Sequence, residues 1–217
     1  ANRHRLIKTI EKCHKESFYS SKSSPKLVAV SKQQPDYKIK NALKAGHRVF
    51  GENKVQDAIK RWNSILDIYE DIELHYIGHL QTNKVKKALN FFNVIHTLDR
   101  KNLALEISKH LTSTSKTKSF MIQVNTGNEE TKSGVSSDTL AEFVKYCRYD
   151  LNLNIVGLMC IPPINDIPKN HFEALRQLAN KNNLKELSIG MSNDYMQALS
   201  FNPRYIRLGT LLFGNRK

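Results

Sequence analysis

A lysine stands directly after a short apolar run near the start of the chain. Residues 27–31 read LVAVS, Lys32 follows, and Pro35 interrupts the segment. A run of this composition predicts a buried β-strand, with the lysine at its carboxyl end. A primary amine at such a position either attacks an aldehyde or extends into water along its aliphatic chain. The segment alone leaves both roles open.

Two later segments have the composition of a phosphate-binding cradle. SIGMS contains Ser188 and Ser192 and precedes a predicted short helix at 193–199, and RLGTLLFG contains Gly209 and Thr210 on the last predicted strand. Small residues and hydroxyls let backbone N–H groups approach an anion at a helix N-terminus. Each segment is weak evidence alone, because such residues commonly form turns. The pair of segments predicts a phosphate site.

A lysine and a phosphate site in one cavity indicate a particular chemistry. Together they favour a phosphorylated aldehyde held as a Schiff base, for which pyridoxal 5′-phosphate (PLP) is the candidate. Partial burial and a nearby cation such as Arg207 would favour the neutral, nucleophilic form of Lys32. Before any comparison with known families, this interpretation and a solvated lysine have equal weight.

The elements that would position these residues alternate along the chain. Short, almost continuously apolar segments are separated by amphipathic, helix-length segments, a pattern typical of parallel strands covered by helices. Eight such units in 217 residues predict one (β/α)₈ TIM-type barrel domain over residues 1–217, with an extra helix at roughly 2–18. A doubly wound open sheet is the competing topology, but GxGxxG is absent after the first strand. The predicted strands are 26–32, 47–53, 73–80, 93–99, 118–125, 154–161, 186–192 and 205–214.

The barrel prediction places the residues at the carboxyl ends of the strands together at one end of the barrel. Ligands bind where parallel barrel strands reach their carboxyl ends. Nearly every predicted strand ends in a polar or glycine-containing group, which indicates a lined pocket at that end. His75 and His79 share one predicted strand, but about 13 Å of rise would separate them, so no shared metal ion is expected.

Composition limits the other classes of function. The net charge of +14 raises nucleic-acid binding as an alternative, but the cations are spread along the chain without an aromatic-interleaved basic patch. No stretch approaches the ~20 apolar residues of a membrane span. Residues 3–16 lack the apolar core of a secretory signal, and three separated cysteines favour free thiols. We therefore expect a cytoplasmic protein without specific nucleic-acid or membrane binding.

Several segments in this order resemble those of the pyridoxal phosphate homeostasis proteins, which are related to the N-terminal domain of alanine racemase. The most specific are GHLQTNK, QVNTGNEETKSG and GMSND, and the resemblance covers residues 27–214. It implies a (β/α)₈ barrel in which Lys32 forms the Schiff base with PLP. The implied cofactor-binding residues are Lys32, Asn53, Ser188, Ser192, Arg207, Gly209, Thr210 and, with a less defined role, His79.

The resemblance implies a carrier rather than a catalyst. Arg207 would face the pyridine nitrogen, and because an arginine accepts no proton, the ring would be a weak electron sink. Alanine racemase works despite such an arginine, but it gains a tyrosine base from a second domain, which we do not expect here. The expectation is a monomer that buffers PLP or delivers it to PLP-dependent apo-enzymes. A racemase-like enzyme is the alternative.

Overall fold

The computed structural model describes residues 2–17 and 23–214, and within them eight parallel strands close into a barrel. Each strand pairs with the next along the chain, and the last pairs with the first from Lys26↔Tyr205 to Ala29↔Leu208. The predicted (β/α)₈ barrel is confirmed. The strands are β1 Lys26–Val30, β2 Val49–Glu52, β3 Glu73–Tyr76, β4 Val94–Leu98, β5 Ser119–Gln123, β6 Ile155–Met159, β7 Glu186–Ser188 and β8 Tyr205–Leu208.

Helices surround the barrel and bury its outer surface. Trp62 is fully buried with its ring centroid 4.6 Å from that of Phe50, as one example of the apolar layer between helices and strands. A short 3₁₀ turn at Thr82–Lys84 and a π-helical turn at Tyr146–Asp150 flank two of the helices. The helices are α1 Asn2–Glu16, α2 Asp36–Lys44, α3 Val55–Leu66, α4 Val85–Phe91, α5 Lys101–His110, α6 Leu140–Lys145, α7 Pro168–Lys181, α8 Tyr195–Leu199 and α9 Thr210–Phe213.

The extra N-terminal helix covers the seam between the first and last strands. Leu6 and Ile10, four residues apart on α1, pack in one cluster with Leu27 of β1 and Ile206 of β8. This spacing places both side chains on one helical face. The predicted helix is therefore present, while its expected end at residue 18 lies outside the described residues.

The strands are shorter than the sequence predicts, and five of the differences move site residues. Lys32, Asn53 and Ser192 lie just beyond the ends of β1, β2 and β7. β3 ends at Tyr76, so His79 lies in the following loop rather than on the strand. β8 ends at Leu208, and the N–H groups of Leu212 and Phe213 then donate to the carbonyl of Gly209. The predicted last strand was too long because apolar residues continue into α9, and an apolar run does not distinguish a buried strand from a buried helical turn.

A search of the described residues for a membrane-crossing helix finds none with the required length and apolar character.

Candidate cofactor site

The candidate site residues converge on the carboxyl ends of five contiguous strands. β7, β8, β1, β2 and β3 are neighbours in the closed barrel, although the first two are far from the others in sequence. Closure of β8 on β1 places Gly209 so that an added Cβ would lie 3.5 Å from Cβ of Val30, two residues before Lys32. The fold thus gathers the lysine and the glycine-rich segments at one end of the barrel.

Lys32 occupies a tight turn at the end of β1. The N–H of Gln34 donates to the carbonyl of Ser31 at 3.1 Å, which makes Lys32 the second residue of a four-residue turn. Gln33 is the third and has φ +58°. Type II turns require a positive φ there and usually place glycine at that position, so a glutamine carries backbone strain. Strain of this kind persists only where surrounding contacts fix the backbone.

Arg61 of α3 supplies those contacts. Its Nη1 donates to the carbonyl of Ser31 at 2.6 Å, and its Nη2 donates to the carbonyl of Gln34 at 2.8 Å. The planar guanidinium therefore bridges both ends of the turn that presents Lys32. A lysine ammonium could not reproduce this fixed, two-pronged geometry.

A buried carboxylate completes this support. Glu52, the last residue of β2, accepts hydrogen bonds at Oε1 from the hydroxyl of Ser31 at 2.6 Å, from Nε1 of Trp62 at 3.0 Å and from Arg61 at 3.1 Å. Its side chain is 3% exposed, so the pairing with Arg61 is largely desolvated. Removal of one partner from such a group leaves a buried charge uncompensated.

Asn53 and His79 lie on the next two loops. The hydroxyl of Tyr76 donates to the carbonyls of both residues, at 3.2 Å and 2.8 Å, and ties the loops together. Gly78 permits this approach, because an added Cβ would fall 2.7 Å from Cα of Asn53 and still closer to its carbonyl oxygen. Burial raises the pKa of Tyr76 to about 12, so its phenol stays protonated at neutral pH.

Three cavities border these loops in the described part of the chain. One of about 450 Å³ is lined by Lys32, Asn53 and residues of α3, including Arg61. A second of about 440 Å³ is lined by both Asn53 and His79, and a third of about 230 Å³ by His79 and the ends of β4 and β5. The two larger volumes lie in the range of small-molecule pockets. Because β1 pairs with β2 and β8, Lys32 lies between the first cavity and the glycine-rich segments after β7 and β8.

Arg207 projects from β8 into the barrel interior. Its Nη1 donates to the hydroxyl of Ser188, and its Nη2 donates to the carbonyl of Cys160 at 3.1 Å. Burial lowers the pKa of Arg207 to about 10, so the guanidinium remains charged at neutral pH. Ser188 is fully buried and also contacts His96, which places its hydroxyl inside the barrel rather than in the loop after β7.

The segments after β7 and β8 are built from compact turns. Gly190 has φ +96°, and an added Cβ would lie 2.9 Å from Cβ of Ala198 on α8. Ser192 lies in this loop, partly exposed. Thr210 begins α9 directly after Gly209, and its side chain is exposed. In the turn after β7, the N–H groups of Asp194 and Tyr195 already donate to the carbonyl of Met191. The first N–H groups of α9 have no intrahelical acceptor, so the turn after β8 offers donors to an anion.

Comparison with known proteins agrees with this geometry. The family described as alanine racemase, N-terminal domain, matches residues 16–217, and the barrel with its strand-end lysine is of that class. The pyridoxal phosphate homeostasis protein of Aquifex aeolicus is 38% identical over 98% of this chain and 97% of its own length. The chain belongs to the pyridoxal phosphate homeostasis protein family.

Solved structures support the same assignment. PipY of Synechococcus elongatus without PLP has a TM-score of 0.81 at 32% identity, covering 88% of this chain and 93% of that chain. PipY with PLP bound has a TM-score of 0.77 at 32% identity, covering 88% and 92%. Alanine racemase of Corynebacterium glutamicum, at 15% identity over 94% of this chain and 58% of its own, has a TM-score of 0.65 and shares the fold.

Sequence reasoning missed the residues that hold the predicted ones. Arg61 and Glu52 fix the turn of Lys32, while His75 and His96 lie behind Ser188 in the barrel interior. In the sequence, Arg61 cannot be distinguished from the other cations on the polar faces of amphipathic helices, so no local pattern identifies its contact with the turn of Lys32. A histidine within each of two mainly buried strands was a usable signal, because a buried imidazole needs partners.

Proposed function

We propose that this protein binds PLP as a Schiff base on Lys32 and serves as an intracellular carrier or buffer of the cofactor. The observation that carries the proposal is the presentation of Lys32 in a strained, clamped turn beside the glycine-containing turn that follows β8. The relatives named pyridoxal phosphate homeostasis proteins and the PLP-bound PipY structure support the same ligand.

The groups present fit the chemistry of PLP. An amine suits its aldehyde, the buried Arg207 guanidinium suits a pyridine nitrogen that accepts a hydrogen bond, and the donors around Gly209 and Thr210 suit its phosphate. In this arrangement Ser192 adds a hydroxyl from the loop after β7, and Asn53 and His79 border the opposite side. Ser188 acts through Arg207, because its hydroxyl is already engaged.

Two features favour carriage over turnover. Arg207 has no acceptor for a proton, so the ring nitrogen beside it remains unprotonated and the cofactor is a poor electron sink. The phenol of Tyr76 donates to two carbonyls and has its pKa raised to about 12, so it is a poor base at neutral pH. A Schiff base in water forms and hydrolyses reversibly, which suits delivery to PLP-dependent apo-enzymes in the cytoplasm by a single-domain monomer.

A titration with PLP tests the proposal. Purified protein should bind PLP with a yellow Schiff-base absorbance, and Lys32→Ala should abolish that absorbance while the variant still folds. Lys54→Ala is the matched control, because Lys54 lines the same cavity but is exposed. Equal PLP absorbance in Lys32→Ala and the wild type would refute the assignment of Lys32.

Assays of amino-acid turnover separate carriage from catalysis. PLP-loaded protein incubated with single L-amino acids should yield no D-enantiomer or amine above the rate of free PLP. Racemisation or decarboxylation that requires Lys32 would establish an enzyme instead.

A further inference from the structure

A continuous row of buried polar side chains crosses the barrel beneath the proposed cofactor site. His75 on β3 contacts Glu73 at 2.9 Å through Nε2 and His96 on β4 at 2.7 Å through Nδ1. His96 in turn contacts Ser188 Oγ at 2.7 Å through Nδ1, and Arg207 donates to that oxygen. We call Glu73, His75, His96 and Ser188 the interior array.

The array begins at the amino-terminal face of the barrel, far from the ligand-binding end. Glu73 opens β3, and its Oε2 accepts from Nζ of Lys26, which opens β1, at 2.8 Å. These two side chains are 26% and 37% exposed, whereas His75, His96 and Ser188 are fully buried. The array therefore joins a solvated ion pair at one face to a buried guanidinium near the other.

The groups at the two ends of the array, the carboxylate of Glu73 and the guanidinium of Arg207, determine which atom carries each hydrogen-bonding proton between them. A carboxylate only accepts hydrogen bonds and a guanidinium only donates them. Contact with His75 lowers the pKa of Glu73 to about 2, and burial lowers the pKa of both histidines, so at neutral pH the carboxylate is charged and the imidazoles are neutral. His75 must then donate from Nε2 and accept at Nδ1.

The same reasoning continues to Ser188. Because His75 accepts at Nδ1, His96 must donate from Nε2, which leaves its own Nδ1 as an acceptor. The hydroxyl of Ser188 therefore donates to His96, and its oxygen lone pair accepts from Arg207. Each dipole has its positive end towards Glu73 and its negative end towards Arg207, which stabilises both charges.

Neighbouring groups oppose any extra proton in the array. Lys26 and Arg204 lower the pKa of His75, and Arg207 lowers that of His96, while Glu73 alone acts in the opposite direction. The ring of Tyr205 lies against both imidazoles, with centroid distances of 4.8 and 5.1 Å. Burial raises the pKa of this phenol to about 12, so it remains neutral.

We propose that the interior array is a positioning device that fixes the orientation of Arg207 and links it electrostatically to Glu73 through aligned hydrogen-bond dipoles across the barrel. Arg207 has hydrogen bonds to a hydroxyl and a carbonyl but needs compensation for a buried charge. Among the described residues, the carboxylate of Asp194 raises the pKa of Arg207 without forming an ion pair with it. The array adds to this stabilisation through aligned dipoles, and it places no carboxylate in contact with the guanidinium, where one would compete with the cofactor. This inference rests on the proposed role of Arg207 towards the pyridine nitrogen.

The proton arrangement is tested first without PLP. In protein labelled with ¹⁵N in its histidines, two-bond ¹H–¹⁵N correlation spectra at pH 6 to 8 should show His75 and His96 as neutral Nε2–H tautomers. The assignment uses His75→Gln and His96→Gln. An Nδ1–H on either residue, or a doubly protonated imidazole, would overturn the proposed direction of the array.

Binding variants then test the connection to the cofactor. Glu73→Gln retains an oxygen that accepts from His75 but removes the charge, and should weaken PLP binding by on the order of ten-fold. His96→Leu breaks the array and should weaken binding at least as much. His96→Gln, whose carbonyl can accept from Ser188 and whose amide can donate to His75, should restore most of the affinity. Glu186→Gln is the matched control, since Glu186 opens β7 at the same face with 34% exposure.

The outcomes separate the two proposals. If the wild type does not bind PLP, the proposed function fails, whereas the tautomers still test the array. If the wild type binds PLP and the dissociation constants of Glu73→Gln and His96→Leu match that of Glu186→Gln, the array does not act on Arg207. A purely structural role would lower the melting temperature without changing affinity measured well below it, and would also overturn the inference.

Discussion

Substitution of Arg61 provides the sharpest test of how the structure presents Lys32. Arg61→Leu removes donors to the carbonyls of Ser31 and Gln34 and leaves the carboxylate of Glu52, 3% exposed, with only neutral donors. Breaking a buried pair from one side typically costs 3–5 kcal/mol. Arg61 itself is 20% exposed, so we expect a loss near the lower end, about 3 kcal/mol.

The assay has a stability part and a binding part. Urea denaturation should show a lower midpoint with an unchanged slope, which indicates lost stability rather than a change in the unfolded state. Below the transition, the absorbance on PLP titration should show weaker and slower loading of Lys32, because the strained turn loses both of its clamps. Arg61→Lys should recover only part of each effect, since one ammonium cannot span both carbonyls.

Arg48→Leu is the matched control for this experiment. Arg48 also donates to two backbone carbonyls and pairs with a carboxylate, Asp71, but that carboxylate is 68% exposed and the pair lies at the opposite end of the barrel. We expect the loss of this pair itself to cost no more than ~1 kcal/mol and PLP loading to be unchanged. The proposed role of Arg61 in holding the turn of Lys32 is refuted by either of two results. One is that Arg61→Leu is no more destabilising than Arg48→Leu, and the other is that the folded Arg61→Leu variant loads PLP like the wild type.

Further predictions concern other parts of the molecule. Burial lowers the pKa of His47 from 6.5 to about 4, so the unfolded chain takes up a proton first and stability falls as pH drops through this window. His47→Gln should reduce that slope by up to ~1.4 kcal/mol per pH unit in urea titrations, and an unchanged slope would contradict the assignment. Gly78→Ala should lower the free energy of unfolding by ~1–3 kcal/mol, because the added Cβ would meet backbone atoms of Asn53. A urea midpoint equal to that of the wild type would show instead that the two loops move apart without cost. Iodoacetamide should label the partly exposed Cys13 in the native state and spare the fully buried Cys160, whose pKa burial raises to about 12; equal labelling by mass spectrometry would exclude this burial.

The sequence predicts the barrel and the place of the lysine because both depend on local patterns. The apolar run before Lys32 marks a buried strand, and eight such runs separated by amphipathic segments favour a closed parallel barrel. The ends of β3 and β8 were predicted too far along the chain. Apolar residues continue past both strands, Ile77 and Leu80 into a loop and Leu211 to Phe213 into a helical turn.

The supporting residues could not be predicted in the same way. Arg61 acts on carbonyls of residues 31 and 34, and the interior array joins four side chains from three strands, so these contacts exist only after the barrel closes. Ser188 illustrates the difference. Its segment resembles a phosphate cradle, but the hydroxyl points to His96 and Arg207 because it belongs to the last residue of β7 and faces the interior.

The central claim is that Lys32 carries PLP, and reductive trapping tests it most directly. Protein incubated with PLP, reduced with borohydride and digested should yield a stoichiometric pyridoxyl adduct on the peptide that contains Lys32. The adduct should persist in Lys54→Ala and disappear in Lys32→Ala. An adduct distributed over many surface lysines, or retained at full yield in Lys32→Ala, would contradict the account.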